Sequence, residues 1–253
     1  MNRHALASFV LFFCFTGSVF AWGPRGHKIV AQIAKHYLDE AVADSVEKYL
    51  DDISIEKAGY WMDEVVMNSS YDFMKPWHFV AIESDKTYVR SKDPDIINVL
   101  ENLISTLKQK KSSRKETFLS LKILIHLVAD IHQPLHCGFV KDKGGSNIKL
   151  RFFFKATDLH EVWDSEVLEY KGITAEDCLR LASNFTKRDL STYQRIDVLN
   201  WMEESRALLS YAYDFKGNKL GDEYLEKVTP IIKMQLVKAG IRLAAVLNQT
   251  FKK

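Results

Sequence analysis

An all-α single domain with one small β-hairpin or loop excursion near residues 144–155 is what the sequence predicts, and three observations carry that expectation. Apolar residues recur at helical spacing along most of the chain. Helix-start signals precede several of those segments. Only Ile148 to Phe154 reads as extended, behind the turn Lys143-Gly144-Gly145. No Pro-, Gly- or Ser-rich linker and no internal repeat divides the 253 residues, a length compatible with one domain and a substantial core.

Residues 1–21 pair an early Arg3 with the apolar run Phe9 to Phe15 and the small-residue ending Val19-Phe20-Ala21, which fits a signal peptide cut before Trp22. The apolar run is too short to span a bilayer, and Thr16-Gly17-Ser18 interrupts it. The expected division is therefore a signal at 1–21 and one domain at 22–253. The expected destination is the periplasm or the exterior, as a monomer with no stable membrane partner after cleavage. From His27 to Leu50, Ile29, Val30, Ile33, Ala34, Tyr37 and Leu38 predict a helix, and Asp93-Pro94 opens another towards Leu107. Thr117 to Ile131 is apolar enough to be buried nearly all round. Thr174 and Asp177 predict a capped helix through Phe185, and 195–214 and 220–248 carry helical periods as well.

The 35 basic and 33 acidic residues nearly cancel, so an anionic substrate has to be held locally and not by a global field. Of the three cysteines, Cys14 leaves with the signal, and Cys137 and Cys178 are a candidate disulfide in an oxidising compartment. The sequons at Asn68, Asn184 and Asn248 carry no inference.

Chemistry enters with IHLVADIHQPLH. His126 and Asp130 are four residues apart and project from one face of a helix, one turn above the other. An ionised Asp130 amid Leu124, Ile125, Leu127 and Val128 is costly to bury without a cation. Pro134 bends or ends the helix and can turn His136 back towards the same centre. His160 and Asp164 in DLHEVWDS repeat the spacing, and His27, Asp63 and His78 lie upstream. Imidazole with carboxylate suits zinc.

Five islands in order, WGPRGH, WMD, WHF, HLVADIHQPLH and DLHEVWDS, resemble the zinc-dependent single-strand nucleases and 3′-nucleotidases of the S-one/P-one type, which are related in fold to zinc phospholipase C. The resemblance runs from Trp22 to about Asp164, and the C-terminal third adds helices but no motif. It implies three zinc ions. Asp63, His78, His126 and Asp130 would hold one, and His136, His160 and Asp164 another. Trp22, through its α-amine and carbonyl, would join His27 and Asp130 on the third, so that signal cleavage completes the site. Asp130 would bridge and orient the attacking water. The implied activity is hydrolysis of single-stranded DNA, RNA and 3′-nucleotides to 5′-phosphate products, with Phe79 as an aromatic platform for a base.

The chain departs from the family pattern at three places. Ala81 stands where many members carry a polar base-reading residue, Val66 where many carry a phosphate-facing Arg, and Ser146 where Asn is usual, with Asn147 next to it. Lys141, Lys143, Lys149 and Arg151 are the nearest replacement cations in sequence, and the same basic loop also reads as an ordinary solvated one. Trp61, Trp77 and Trp163 flank ligands and read as pocket walls or core. His36 reads as surface, His132 as a capping or supporting group, and Cys137 as packing. Two further functional classes stay open: a zinc phospholipase C, for which Glu would be expected at Asp164, and a non-catalytic zinc-binding protein.

Overall fold

The structure, a computed structural model, describes residues 22–51, 53–65 and 67–252. The segment read as a signal peptide lies outside the described residues, as does Val66. In chain order the elements are α1 (Pro24–Tyr37), α2 (Glu40–Leu50), α3 (Ile55–Val65), a 3₁₀ helix Ser69–His78, α4 (Ile96–Lys108) and α5 (Arg114–Asp130). Two 3₁₀ turns, Pro134–Cys137 and Val140–Asp142, lead to β1 (Lys149–Phe152) and β2 (Lys155–Asp158). Then come α6 (Leu159–Glu161), a π-helical turn Val162–Glu166, α7 (Val167–Tyr170), α8 (Ala175–Ala182) and α9 (Lys187–Tyr193). Last are α10 (Val198–Ala207), α11 (Leu209–Ala212), β3 (Lys219–Leu220) and α12 (Asp222–Phe251).

The helical class holds, with local corrections. The helix expected over 27–50 is two helices, because Leu38 and Asp39 adopt extended backbone between α1 and α2. Asp95 and not Asp93 caps α4, its Oδ1 accepting the Asn98 N–H at 2.9 Å. Asp93 precedes Pro94, whose ring disfavours helical backbone at the residue before it. Helix α3 and the 3₁₀ helix Ser69–His78 were not foreseen, yet they carry Asp63 and His78. The expected hairpin runs later than predicted, β1 pairing antiparallel with β2 from Lys149↔Asp158 to Phe152↔Lys155. The two-residue β3 adds to β1 in parallel, with Arg151 opposite Lys219.

The C-terminal parts of α5 and α12 are buried nearly all round and lie at the centre, with α1 packed against both helices and α3 against α5. Ser113 and Glu116 form the capping box that starts α5, and such a cap contributes about 0.5–2 kcal/mol. Leu121, Leu124, Leu127 and Val128 are fully buried along it, each stabilising the fold by about 1.5–3 kcal/mol relative to exposure. Where α12 crosses α1, Gly240 is required by contact: a Cβ there would sit 2.4 Å from Ile33 Cγ2. No described helix is long and apolar enough to cross a membrane.

Candidate metal centre

Four elements bring the first cluster together. Helix α1 buries His27 on its inward face, α3 supplies Asp63, the end of the 3₁₀ helix supplies His78, and α5 supplies His126 and Asp130. Asp130 stands between the imidazoles. Its Oδ1 lies 3.3 Å from His27 Nε2, and its Oδ2 lies 3.0 Å from His78 Nδ1 and 3.1 Å from His126 Nε2. Asp63 Oδ1 is 3.6 Å from His126 Nε2, and the His27 and His126 rings stack at 4.0 Å. Ligand-type atoms of His27, His126 and Asp130 lie within 4.8 Å of one another, and so do those of Asp63, His78 and His126. His126 thus faces both sets, where the sequence reading gave that place to Asp130 alone.

The second cluster is His136, His160 and Asp164, its ligand-type atoms likewise within 4.8 Å of one another. Pro134 opens the 3₁₀ turn that carries His136. His160 lies on α6, and Asp164 on the π turn that follows, with His160 Nε2 3.1 Å from Asp164 Oδ2. A π turn adds a residue to the helical repeat and re-aims the side chains it carries.

Backbone carbonyls orient three of the imidazoles. His126 Nδ1 donates to Gly59 O, His136 Nδ1 to His78 O and His160 Nδ1 to Gly144 O, each at 2.7 Å. A carbonyl only accepts, so each Nδ1 carries a hydrogen, and each ring in its neutral form presents an Nε2 lone pair. Gly144 can approach His160 because it has no Cβ: its φ is +59°, and a Cβ would fall 2.4 Å from Leu135 O.

The donor set fits a cation. His27 Nε2, both Asp63 oxygens, His78 Nε2, Asp130 Oδ1, His136 Nε2, His160 Nε2 and Asp164 Oδ2 are buried with no hydrogen-bond partner among the described residues. Lone pairs facing lone pairs in a dry interior are unfavourable unless a proton or a metal ion lies between them. Neighbouring ligand atoms of a tetrahedral zinc site are spaced by about 3.3 Å, given bonds of about 2.0–2.1 Å. The separations above bracket that value. Protons supply part of the compensation in the metal-free chain. Burial alone would lower His126 and His160, but Asp130 with Asp63, and Asp164, outweigh it and push each up to about 9. Burial pushes Asp63 up to about 7.

Trp22 is fully buried against this centre. Its indole N–H donates to Ala129 O at 3.0 Å, one residue before Asp130, and the next residue's N–H donates to Asp164 O at 3.0 Å. Phe79 is reached through a parallel bridge: Val80 N–H donates to His136 O, Ile82 N–H to Gly138 O, and Ile82 pairs with Phe139. That register sets Phe79 opposite His136. Phe79, 40% exposed, and exposed Ala81 alternate with buried Val80 and Ile82, so they share the outer face.

Other expected residues fall elsewhere. Trp163 is core, its N–H donated to Tyr224 Oη at 2.8 Å, and the half-buried Trp61 lies under the Lys122 ammonium at 3.5 Å. His36 is exposed. His132 faces away from the centre, Nδ1 donating to Val128 O and Nε2 accepting from Arg242. Cys137 and Cys178 are separate buried thiols and form no disulfide. Of the basic loop, Lys149 pairs with Asp158 and Lys155 with Glu166, Arg151 reaches Phe154 O, and Lys141 lies over Phe139.

Two contributors were missed from the sequence. Gln133 bridges Asp164 to the turn carrying His136. Its place inside HQPLH was the available signal, since a buried amide needs partners. Arg206 on α10 donates to the carbonyls of Cys137, Gly138 and Glu83 and so clamps the bridge that presents Phe79. Nothing in the C-terminal third of the sequence marked it.

Comparison with known proteins places relatives around this geometry. The S1/P1 Nuclease family model matches residues 22–252. The chain is 29% identical to Endonuclease 4 of Arabidopsis thaliana, over 91% of this chain and 89% of that protein. It is 28% identical to Endonuclease 2 of the same plant, over 92% of each. It is 25% identical to Nuclease S1 of Aspergillus oryzae, over 90% of this chain and 91% of that protein.

Proposed function

We propose, from the premise that the chain belongs to the S1/P1 nuclease family, that it is a zinc-dependent endonuclease cutting single-stranded DNA and RNA to 5′-phosphate products and acting on 3′-nucleotides. Membership makes it a phosphodiester-hydrolysing nuclease, which takes precedence over the lipid and non-catalytic readings. The observation that carries the zinc assignment is the set of buried imidazole nitrogens and carboxylate oxygens that have no hydrogen-bond partner among the described residues.

Asp63, His78, His126 and Asp130 would hold one zinc, His136, His160 and Asp164 a second, and His27, Asp130 and Trp22 a third. The Trp22 assignment requires cleavage after Ala21, which frees its α-amine. The anchoring of Trp22 and Gly23 beside Asp130 and Asp164 supports it. Zinc bound there supplies Lewis acidity, making water acidic near neutral pH and offsetting charge on phosphoryl oxygens. The chain's own groups do the rest. Asp130 lies in contact with three imidazoles, and in this reading it would orient the attacking water. The three carbonyl-bonded histidines are held in one tautomer and need no rearrangement as the reaction proceeds. The exposed ring of Phe79 offers a stacking face to any base, and Ala81 beside it offers no side-chain hydrogen bond with which to select one. Export to the periplasm or the exterior rests on the pattern of residues 1–21, and a monomer remains the working state.

The test is metal content of the processed protein together with hydrolysis of heat-denatured DNA, duplex DNA, RNA and a 3′-nucleotide, with and without chelator. About three zinc per chain and chelator-sensitive cleavage confined to single strands and 3′-nucleotides is the expected result. Fewer than two zinc would undo the ligand assignment, and retained zinc without any cleavage would undo the substrate assignment.

A further inference from the structure

We infer that Gln133 is a positioning residue for the second cluster: its side-chain amide selects which oxygen of Asp164 is available to a metal and locks that carboxylate to the turn bearing His136. The inference rests on the zinc-site reading above and concerns a residue outside the ligand set.

Gln133 is fully buried and lies just beyond α5, after Ile131 and His132, its N–H donating to Asp130 O at 2.9 Å. Its Oε1 accepts the Leu135 N–H at 2.6 Å, and its Nε2 donates to Asp164 Oδ1 at 2.6 Å. The amide orientation is fixed by chemistry, because a backbone N–H can only donate and a carboxylate only accepts. One side chain therefore joins the second cluster's two polypeptide segments, the 3₁₀ turn Pro134–Cys137 and the π turn Val162–Glu166. The consequence falls on Asp164. Its Oδ1 is engaged by Gln133, while Oδ2 has no hydrogen-bond partner and lies 3.1 Å from His160 Nε2. Asp164 is thereby presented as a one-oxygen ligand through Oδ2, with rotation about its terminal bond blocked. Without the amide, the buried Oδ1 loses its donor, and the carboxylate is free to turn and to offer either oxygen or both. No isosteric side chain reproduces both bonds. Glu keeps an acceptor for Leu135 but repels Asp164, and Leu makes neither bond.

The experiment compares zinc retained per chain across a chelator series for the full-length processed protein and its Gln133→Glu, Gln133→Leu, Asp164→Asn and Gln133→Leu/Asp164→Asn variants. The melting temperature of each metal-free form is measured in parallel. The expected result is that both Gln133 variants release one zinc equivalent at a chelator concentration about ten- to a hundred-fold lower than the parent does, the remaining equivalents being unmoved. In the Asp164→Asn background, Gln133→Leu should add no further loss. A fall in metal-free melting temperature with unchanged retention would overturn the inference in favour of a merely structural role, and so would loss of all equivalents together. An undiminished Gln133→Leu effect in the Asp164→Asn background would also overturn it, since the action would then not pass through Asp164. A parent protein that binds no zinc would instead refute the zinc-site reading, which keeps the two failures distinguishable.

Discussion

The two candidate metal-binding clusters are built by different means. In the first cluster only His78 comes from a 3₁₀ helix and only His126 has its ring held by a backbone carbonyl, that of Gly59, while His27, Asp63, His126 and Asp130 sit on α1, α3 and α5, helices positioned by apolar packing, as the close crossing of α1 over Gly240 illustrates. His136, His160 and Asp164 sit on a 3₁₀ turn, a three-residue helix and a π turn, and are held by hydrogen bonds to Gly144 O, His78 O and Gln133. Packing is distributed over many contacts and tolerates the loss of any one. A hydrogen-bonded frame of this size does not, because each buried polar group left unpaired costs about 1–3 kcal/mol. The first cluster is therefore expected to resist single substitutions in its frame, and the second to be sensitive to them.

The largest expected effect probes the residue at the centre of the first cluster. Asp130→Asn removes a charge that faces three imidazoles, and hydrolysis of denatured DNA should fall more than about a hundred-fold, beyond what loss of a supporting partner costs. Near-parental activity with full zinc would remove Asp130 from the chemistry. Next is the face beside His136. Phe79→Ala should raise KM for denatured DNA about ten-fold with little change in kcat, from the ~1–3 kcal/mol of one base stack. An unchanged KM would mean that substrate does not use that ring.

Two glycine substitutions then set the frames against each other. Gly144→Ala places a Cβ 2.4 Å from Leu135 O at a left-handed backbone position, a strain of about 1–3 kcal/mol. It should displace the carbonyl that holds His160 and cost one zinc equivalent. Gly240→Ala, with its Cβ 2.4 Å from Ile33, should cost a similar ~1–3 kcal/mol by overpacking yet leave zinc content intact. Melting temperature and zinc per chain decide it, and equal zinc loss in both would erase the distinction between the frames.

A further expectation is a pH dependence of the metal-free protein. Burial pushes Asp63 up to about 7, from an ordinary value of 3.8. His126 and His160 stand at about 9 instead of 6.5, burial being outweighed by their carboxylate neighbours. All three folded values exceed the unfolded ones. The stability they contribute is complete below the unfolded values and is lost as pH rises through about 7 for Asp63 and about 9 for the histidines. Chelated protein should accordingly melt lower at pH 9 than at pH 6. Zinc affinity should move the opposite way, because the ligands bind deprotonated. A chelated protein that gains stability on that rise would show that the clusters are not protonated as the geometry implies.

Much of the centre was legible because it lies in local spacing. His126 with Asp130 and His160 with Asp164 are each four residues apart, and a buried carboxylate in an apolar run announces a partner before any fold is known. The helical class was legible for the same reason, since amphipathic period and capping boxes are local, as at Thr174, although the box at Ser113 that starts α5 was not read. Helix α3 does carry a helical period, Ile55, Ala58, Gly59 and Met62 forming its buried face, which the sequence reading passed over, and the 3₁₀ helix Ser69–His78 has Pro76 inside it. The disulfide was an inference from count alone, and the fold keeps Cys137 and Cys178 apart.

By itself, then, the sequence determined the helical class and the His and Asp pairs along each helix that are candidates for metal binding, because those depend on neighbours within a turn or two. Only the tertiary structure decided that His126 faces two sets of ligand-type atoms, that Phe79 lies opposite His136, that Gln133 joins the segments of the second cluster, and that Arg206 clamps the bridge presenting Phe79. Each of these depends on segments far apart in the chain: Gly59 with His126, Gln133 with Asp164, Arg206 with Cys137. Hydrogen bonds across such separations are set by how helices pack, and no local pattern of residues encodes them.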